Sequence, residues 1–311
     1  MKVPLRSSRR ATLAGLLALL VVTACDDGAT QDRRVRIATG SPTAVYHAIG
    51  TALAGVVERE LPGADAEVLV TAASAENVEK VSRGTAEIGF TQADVLVTGG
   101  APAPTVVALA RVYDDLLHLV VRADSPIATL EGLKGKRVSV GARGSGTTVT
   151  VDRLLSVAGM SHAMYRRQLS LDDSIRALRD GEIDAFFFSG GLPVTGIKQL
   201  GAEVGIRVVD LSKWAGDLRR AYSDVYVVRD VPTSAYSVPP VATIAVPNLL
   251  VASESMPEDL AYELTRLLME RREVLASAHP AAERLDPRTA ISTLPVPLHP
   301  GAARYYRSVK P

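Results

Sequence analysis

The chain has 311 residues, 47% of them hydrophobic and 22% charged. That balance supports sizeable cores in up to two domains and does not fit a disordered polymer. Lysine and arginine number 35 against 34 acidic residues, a formal charge of +1, and aromatics are 5%. A strongly basic, base-stacking nucleic-acid binder does not fit these numbers.

The first 24 residues hold Lys2, Arg6, Arg9 and Arg10 and no acid. The apolar stretch 11–24 is shorter than the ~20 residues a membrane-spanning helix needs, and the layout is that of a secretory signal peptide. Val22-Thr23-Ala24-Cys25 resembles a bacterial lipobox, in which the cysteine receives a diacylglycerol thioether. Cys25 is the only cysteine, so internal disulfides and cysteine-based zinc sites are excluded. A buried cysteine following an apolar run is the alternative. Lipid chains contribute about 0.8 kcal/mol per buried CH₂ and would anchor the protein to the membrane. Residues 25–34 read as a polar tether. Cleavage before Cys25 leaves 31 basic groups against 34 acidic, near −3.

From residue 35 the chain alternates strand and helix. A strand at 35–38 runs into Thr39-Gly40-Ser41-Pro42, and a helix follows over about 43–60 with Val45, Ile49, Leu53 and Val56 on one face. Strands are expected at 67–71, 86–90 and 105–109, with a helix at 75–82, and 116–122 is an apolar run long enough to cross between domains. The pattern then restarts, with strands at 137–140, 164–168 and 182–187, helices to about 157 and at 171–179, and strands at 206–210 and 226–228 completing a second sheet. Residues 242–251 return to strand composition, with an edge or bulge expected at Pro247. Pro257 opens a long helix with Leu260, Leu264, Leu267, Leu268 and Leu275 at helical spacing. This order implies parallel sheets covered by helices.

Two segments repeat one another. Ser82-Arg83-Gly84-Thr85-Ala86-Glu87-Ile88-Gly89-Phe90 is a helix end, a glycine and a strand, and Arg179-Asp180-Gly181-Glu182-Ile183-Asp184-Ala185-Phe186 has the same order. Two similar α/β lobes follow, with small polar loops beyond the carboxyl ends of their strands, where open sheets bind ligands. Coincidence between ordinary βαβ units is the other reading.

The turn Gly141-Ala142-Arg143-Gly144-Ser145-Gly146-Thr147 precedes a helix. It lacks the lysine of a nucleoside-triphosphate loop and the spacing of a dinucleotide fingerprint. Its free N–H groups and the Ser145 hydroxyl suit a carboxylate or another anion; a plain capping turn is the alternative. His47, His118, His162, His279 and His299 stand in no metal-binding pattern, no G-x-S-x-G elbow occurs, and no acid/base pair stands out. The expectation is a binding protein with no metal, no cofactor and no enzyme activity.

Several stretches together resemble the TAXI family of TRAP transporter solute receptors. They are Ile37-Ala38-Thr39-Gly40 with Tyr46, Ser74-Ala75-Glu76-Asn77, Phe90-Thr91-Gln92-Ala93-Asp94, Leu133-Lys134-Gly135-Lys136-Arg137-Val138-Ser139-Val140-Gly141, Gly144-Ser145-Gly146-Thr147, and Pro297-Leu298-His299-Pro300-Gly301-Ala302 with Tyr305-Tyr306. The resemblance implies an α/β, type II periplasmic-binding fold: lobe 1 from 35–120 and 233–311, lobe 2 from 121–232, and a ligand cleft between them. It implies ligand contacts from Thr39, Gly40, Tyr46, Ser74, Gln92, Ser145, Gly146, Thr147, Gly190 and Pro193. The implied function is a lipid-anchored receptor on the extracytoplasmic face of the cell membrane. It would capture a small carboxylate, a glutamate-like amino acid or a dicarboxylate, for a TRAP-type permease. A ligand sensor for a signalling partner and an enzyme on the same scaffold are the alternatives. Arg143 and Thr148 depart from the family pattern, which expects a small residue or proline at the first and an acid at the second.

Overall fold

The computed structural model describes Met1, residues 33–97 and residues 105–310; the expected signal peptide and Cys25 lie outside the described residues. The strands are β1 (Arg33–Ala38), β2 (Ala64–Leu69), β3 (Ile88–Gln92), β4 (Val106–Arg122), β5 (Arg137–Ser139), β6 (Tyr165–Arg167), β7 (Ala185–Gly190), β8 (Ile206–Val208), β9 (Val227–Val231) and β10 (Val241–Ser253). The helices are α1 (Val45–Glu60), α2 (Ser74–Ser82), α3 (Gly146–Val157), α4 (Leu171–Arg179), α5 (Thr195–Val204), α6 (Ala215–Ala221), α7 (Thr233–Tyr236), α8 (Glu258–Glu270), α9 (Arg272–Ala278), α10 (Pro287–Ala290) and α11 (Pro300–Ser308).

Where two sheets are expected, the described strands form one, in the order β2-β1-β3-β10-β4-β7-β5-β6, with β8 on β4 and β9 on β10. The cause is two long strands. The first half of β4 pairs with β10 over Asn248–Ser253, whose other edge is β3. The second half of β4 passes to β7 and β8, while the start of β10 pairs with β9. Partners change around Asp114–Leu116 and Ala245–Asn248, inside the two segments the sequence assigns to lobe 1. The sheet is also mixed rather than parallel: β1, β2 and β3 are parallel, as are β5, β6 and β7, but β4, β8, β9 and β10 pair antiparallel. Pro247 lies inside a central strand, opposite Asp114. Its missing N–H is tolerated because β9 stops at Ala245 and β3 begins at Asn248. The register shift comes one residue later, between Asn248 and Leu249.

The repeat seen in the sequence is structural. Gly84 after α2 and Gly181 after α4 adopt φ of 68° and 74°, left-handed values that close a helix most cheaply with glycine. In each half an arginine of the first strand grips the carboxylate just beyond that glycine, through its backbone N–H and two guanidinium nitrogens: Arg36 on Glu87 and Arg137 on Asp184. The arginines hold both carboxyls below the usual carboxylate range, Glu87 against the opposing effect of its burial.

Ile37, Ile49, Leu53, Phe90 and Leu109 fill one core with Leu264 and Leu268 of α8. Phe187 faces a second with Val138, Val151 and Leu154, and Phe186, one residue earlier, faces a third with Leu178, Ile197 and Leu200. That alternation is the period of a strand covered on both faces. The single helix expected after Pro257 is two, because Arg271 leaves the helical basin (φ −106°, ψ 21°). Its guanidinium is held by Glu60 of α1 at 2.7 Å.

Candidate functional site

Four helices begin at one place. Val45 and Tyr46 of α1, Ser74 of α2, Gly146 and Thr147 of α3, and Leu171 and Ser174 of α4 all line a narrow cleft of about 130 Å³. Two of them have a serine to start them there. Ser145 caps α3, its Oγ accepting the Thr148 N–H at 3.2 Å. Ser170 caps α4, accepting from the Asp173 N–H at 3.1 Å, with Asp172 and Asp173 in the first turn and Arg176 and Arg179 in the last. Helix N-termini carry partial positive charge and unpaired N–H groups. Those of α2 are already taken, since Ala75 and Glu76 donate to the Gly144 carbonyl at 3.1 and 3.3 Å. Gly146 and Thr147 at the head of α3 have no acceptor among the described residues.

The floor is Gln92, Asp115 and Ser189. Gln92 Nε2 donates to Asp115 Oδ2 at 2.8 Å and to Ser189 Oγ, and the Ser189 N–H donates to Thr147 Oγ1 at 3.1 Å. Asp115 is 3% exposed, and its Oδ1 has no partner. Burial pushes its carboxyl up to about 7, against the hydrogen bond from Gln92 and a nearby Asn248 amide, with the acids Asp114 and Asp94 adding to the rise. Tyr46 stacks on Phe90, its ring centroid 5.3 Å away, and its hydroxyl meets Asn248 Oδ1 and Ser74 Oγ. Burial first, then Asp115, raise its phenol well above normal. Among the described residues no lysine, arginine or histidine lines the cleft. Among the described residues no group of three or more His, Cys, Asp or Glu is placed to hold a metal ion.

Of the ten positions expected in the site, Tyr46, Ser74, Gln92, Ser145, Gly146, Thr147 and Gly190 line this cleft. Thr39, Gly40 and Pro193 do not. The Thr39 hydroxyl is spent on the Leu69 carbonyl at 2.7 Å, and its own carbonyl takes Asn77 Nδ2 at 2.6 Å. Gly40 lies against Ala73. Pro193, in a cis peptide with Leu192, stands beyond β7 on the way to α5. Arg143 is exposed and outside the lining. Sequence reasoning missed Asp115 and Tyr113, while Ser189 belongs to the loop 189–193 that the resemblance placed on the wall of the second lobe. Asp115 had a signal, a carboxylate inside a mostly apolar strand.

Two continuous strands shared by two α/β lobes, with helix N-termini meeting at the cleft between them, define a periplasmic-binding-protein-like fold. The chain belongs to the NMT1-like family, which it matches over residues 37–309. Three solved structures share the fold. The periplasmic aliphatic sulphonate binding protein SsuA from Escherichia coli is 19% identical, covering 90% of this chain and 84% of that one, with a TM-score of 0.50. A Streptococcus mutans structure, described for glutathione import via GshT and the cystine ABC importer TcyBC, is 17% identical, covering 79% and 93%, with a TM-score of 0.55. The GluR0 ligand-binding core in complex with L-glutamate is 14% identical, covering 82% and 98%, with a TM-score of 0.51.

Proposed function

We propose that the protein is an extracytoplasmic solute-binding receptor of the TAXI type that captures a small carboxylate between its lobes and passes it to a TRAP-type permease. The observation that carries this is the convergence of four helix N-termini on one cleft, with the Gly146 and Thr147 N–H groups free to receive an anion. The lobes are 35–120 with 233–311 and 121–232. Bonds that span the cleft favour a closed form: Thr43 Oγ1 to Asp172 at 2.9 Å, and Ala75 and Glu76 to Gly144. The SsuA and GluR0 structures are named for a sulphonate and for L-glutamate, both anionic, which supports an anion here. The Streptococcus mutans structure is named with an ABC importer, which favours an ABC permease as the second reading of the membrane partner.

The test is calorimetry of the purified protein with glutamate, glutamine, 2-oxoglutarate, succinate, short monocarboxylates and glucose. A carboxylate is expected to bind best, and tighter binding of glucose refutes the reading. In Gly146→Ala the new Cβ would collide with the Gln92 amide and lie 2.7 Å from Ser74 Oγ. Affinity for the best carboxylate should fall at least about tenfold, which is about 1.4 kcal/mol. Anchoring has its own readout. Wild type should incorporate a fatty-acid label and sediment with membranes, Cys25→Ser should do neither, and equal labelling of both refutes the lipid tether.

A further inference from the structure

We propose that the cleft selects a zwitterion with a short apolar side chain, Asp115 accepting the ligand's ammonium group and the head of α3 its carboxylate. This rests on the receptor reading above and narrows it.

Asp115 lines the cleft, is buried, and has one oxygen committed to Gln92 and the other without a partner. An unpaired buried carboxylate is costly unless something neutralises it or donates to it. Among the described residues no cation lines the cleft. The acids that act on Asp115 are Asp114, itself paired with Arg111 and Arg229, and Asp94, which Arg153 faces, and the flanking phenols Tyr46 and Tyr113 carry no charge while they keep their protons. The Asn248 amide, which faces Asp115 and works against the rise of its carboxyl, is neutral and leaves the charge uncompensated. A ligand ammonium brings three donors and a positive charge.

The head of α3 and the unpaired carboxylate border the same cleft. A Cβ on Gly146 would come within 2.7 Å of Gln92 Cδ, and the same amide donates to Asp115, so both adjoin the Gln92 amide. The remaining wall is mostly carbon, from Leu169, Leu171, Phe187, Phe188, Val45 and Ala72, with the hydroxyls of Ser41, Thr71, Ser170 and Ser174 among it. A second carboxylate on the ligand would add a negative charge beside Asp115, which Asp114 and Asp94 already oppose, so dicarboxylates and glutamate are disfavoured.

The experiment titrates the full chain at pH 8 with L-alanine against propanoate, L-valine against 3-methylbutanoate, and L-glutamate and succinate. The tighter amino acid should bind at least tenfold more strongly than its deaminated partner and than either dianion-forming acid. Asp115→Asn should lose at least tenfold toward that amino acid and hold or gain affinity for the deaminated acid, with circular dichroism reporting that the variant is folded. If the variant does not fold, the wild-type comparison decides alone. A deaminated acid or succinate binding as tightly as the amino acid overturns the zwitterion and leaves the carboxylate receptor standing. Failure of every carboxylate overturns both.

Discussion

Replacing Gly301 with alanine should destabilise the fold by about 3 kcal/mol or more, at the upper end of overpacking effects, with a lower urea midpoint and melting temperature. Gly301 is the second residue of α11, after Pro300, and its N–H is capped by His299 Nδ1 at 3.1 Å. A Cβ there would penetrate the Glu258 carbonyl oxygen and approach Tyr262 N at 2.9 Å and Ala261 Cβ at 3.0 Å. Two of these atoms are helix backbone, which cannot rotate away as a side-chain end can. Relief requires α11 to move off α8. That would loosen Tyr305 and Tyr306, which are buried in the first core, and break the Tyr306 hydroxyl's 3.1 Å bond to the Leu109 carbonyl. An unchanged midpoint would show that α8 and α11 slide past each other freely.

Asp115→Asn should stabilise the unliganded protein at pH 8 by more than twice as much as at pH 5, where about a third of the effect is already present. The folded-state carboxyl titrates near 7 because of burial, and in the unfolded chain near 3.9. Between those values the folded state holds the proton and the unfolded state has released it. Native protein then binds more protons, so stability falls as pH rises through this window and levels off above 7. The full difference is about 4 kcal/mol by linkage, and asparagine, a neutral isostere that still accepts from Gln92, removes it. Chemical unfolding of both proteins from pH 5 to 8 reads the effect as a gap that widens with pH. Groups such as Glu131, held down to about 2 by Lys213, titrate below this range in both proteins and leave the gap untouched. A gap constant with pH would mean that Asp115 is ionised throughout.

The local parts of this architecture are legible in the chain. The restart of the strand–helix pattern, the twin glycines at 84 and 181, and the span of α4 follow from short-range chemistry: a serine cap, acids first, arginines last, a glycine to stop. The Gly144-Ser145-Gly146-Thr147 turn likewise reads as a helix head, and it is one. The long-range parts are not legible. The acids Asp114 and Asp115 break the apolar run of β4, so one 17-residue strand reads as two pieces, and the residue that interrupts the pattern is the one that reaches the cleft. Thr39 and Gly40 stand in the right turn, but a turn does not say which hydroxyls its own backbone consumes. The joining of two sheets into one depends on β4 pairing with β10, more than a hundred residues away, and no local periodicity encodes that.

The sheet has a waist. At Asp114 and Asp115, opposite Pro247 and Val246, β4 and β10 are the only described strands paired, because β7 joins from Leu116 and β3 from Asn248. A two-strand ribbon twists and flexes far more readily than a ribbon of four, and here it carries a residue with no N–H to lose. Swinging one half of the molecule against the other can therefore be taken up as torsion in this leaf spring, with every ladder bond on either side intact. Asp115, which reaches the cleft, sits on the spring itself. A ligand that grips this one side chain acts at the point about which both halves turn, where a slight change in strand twist is magnified at the distant rims into opening or closure.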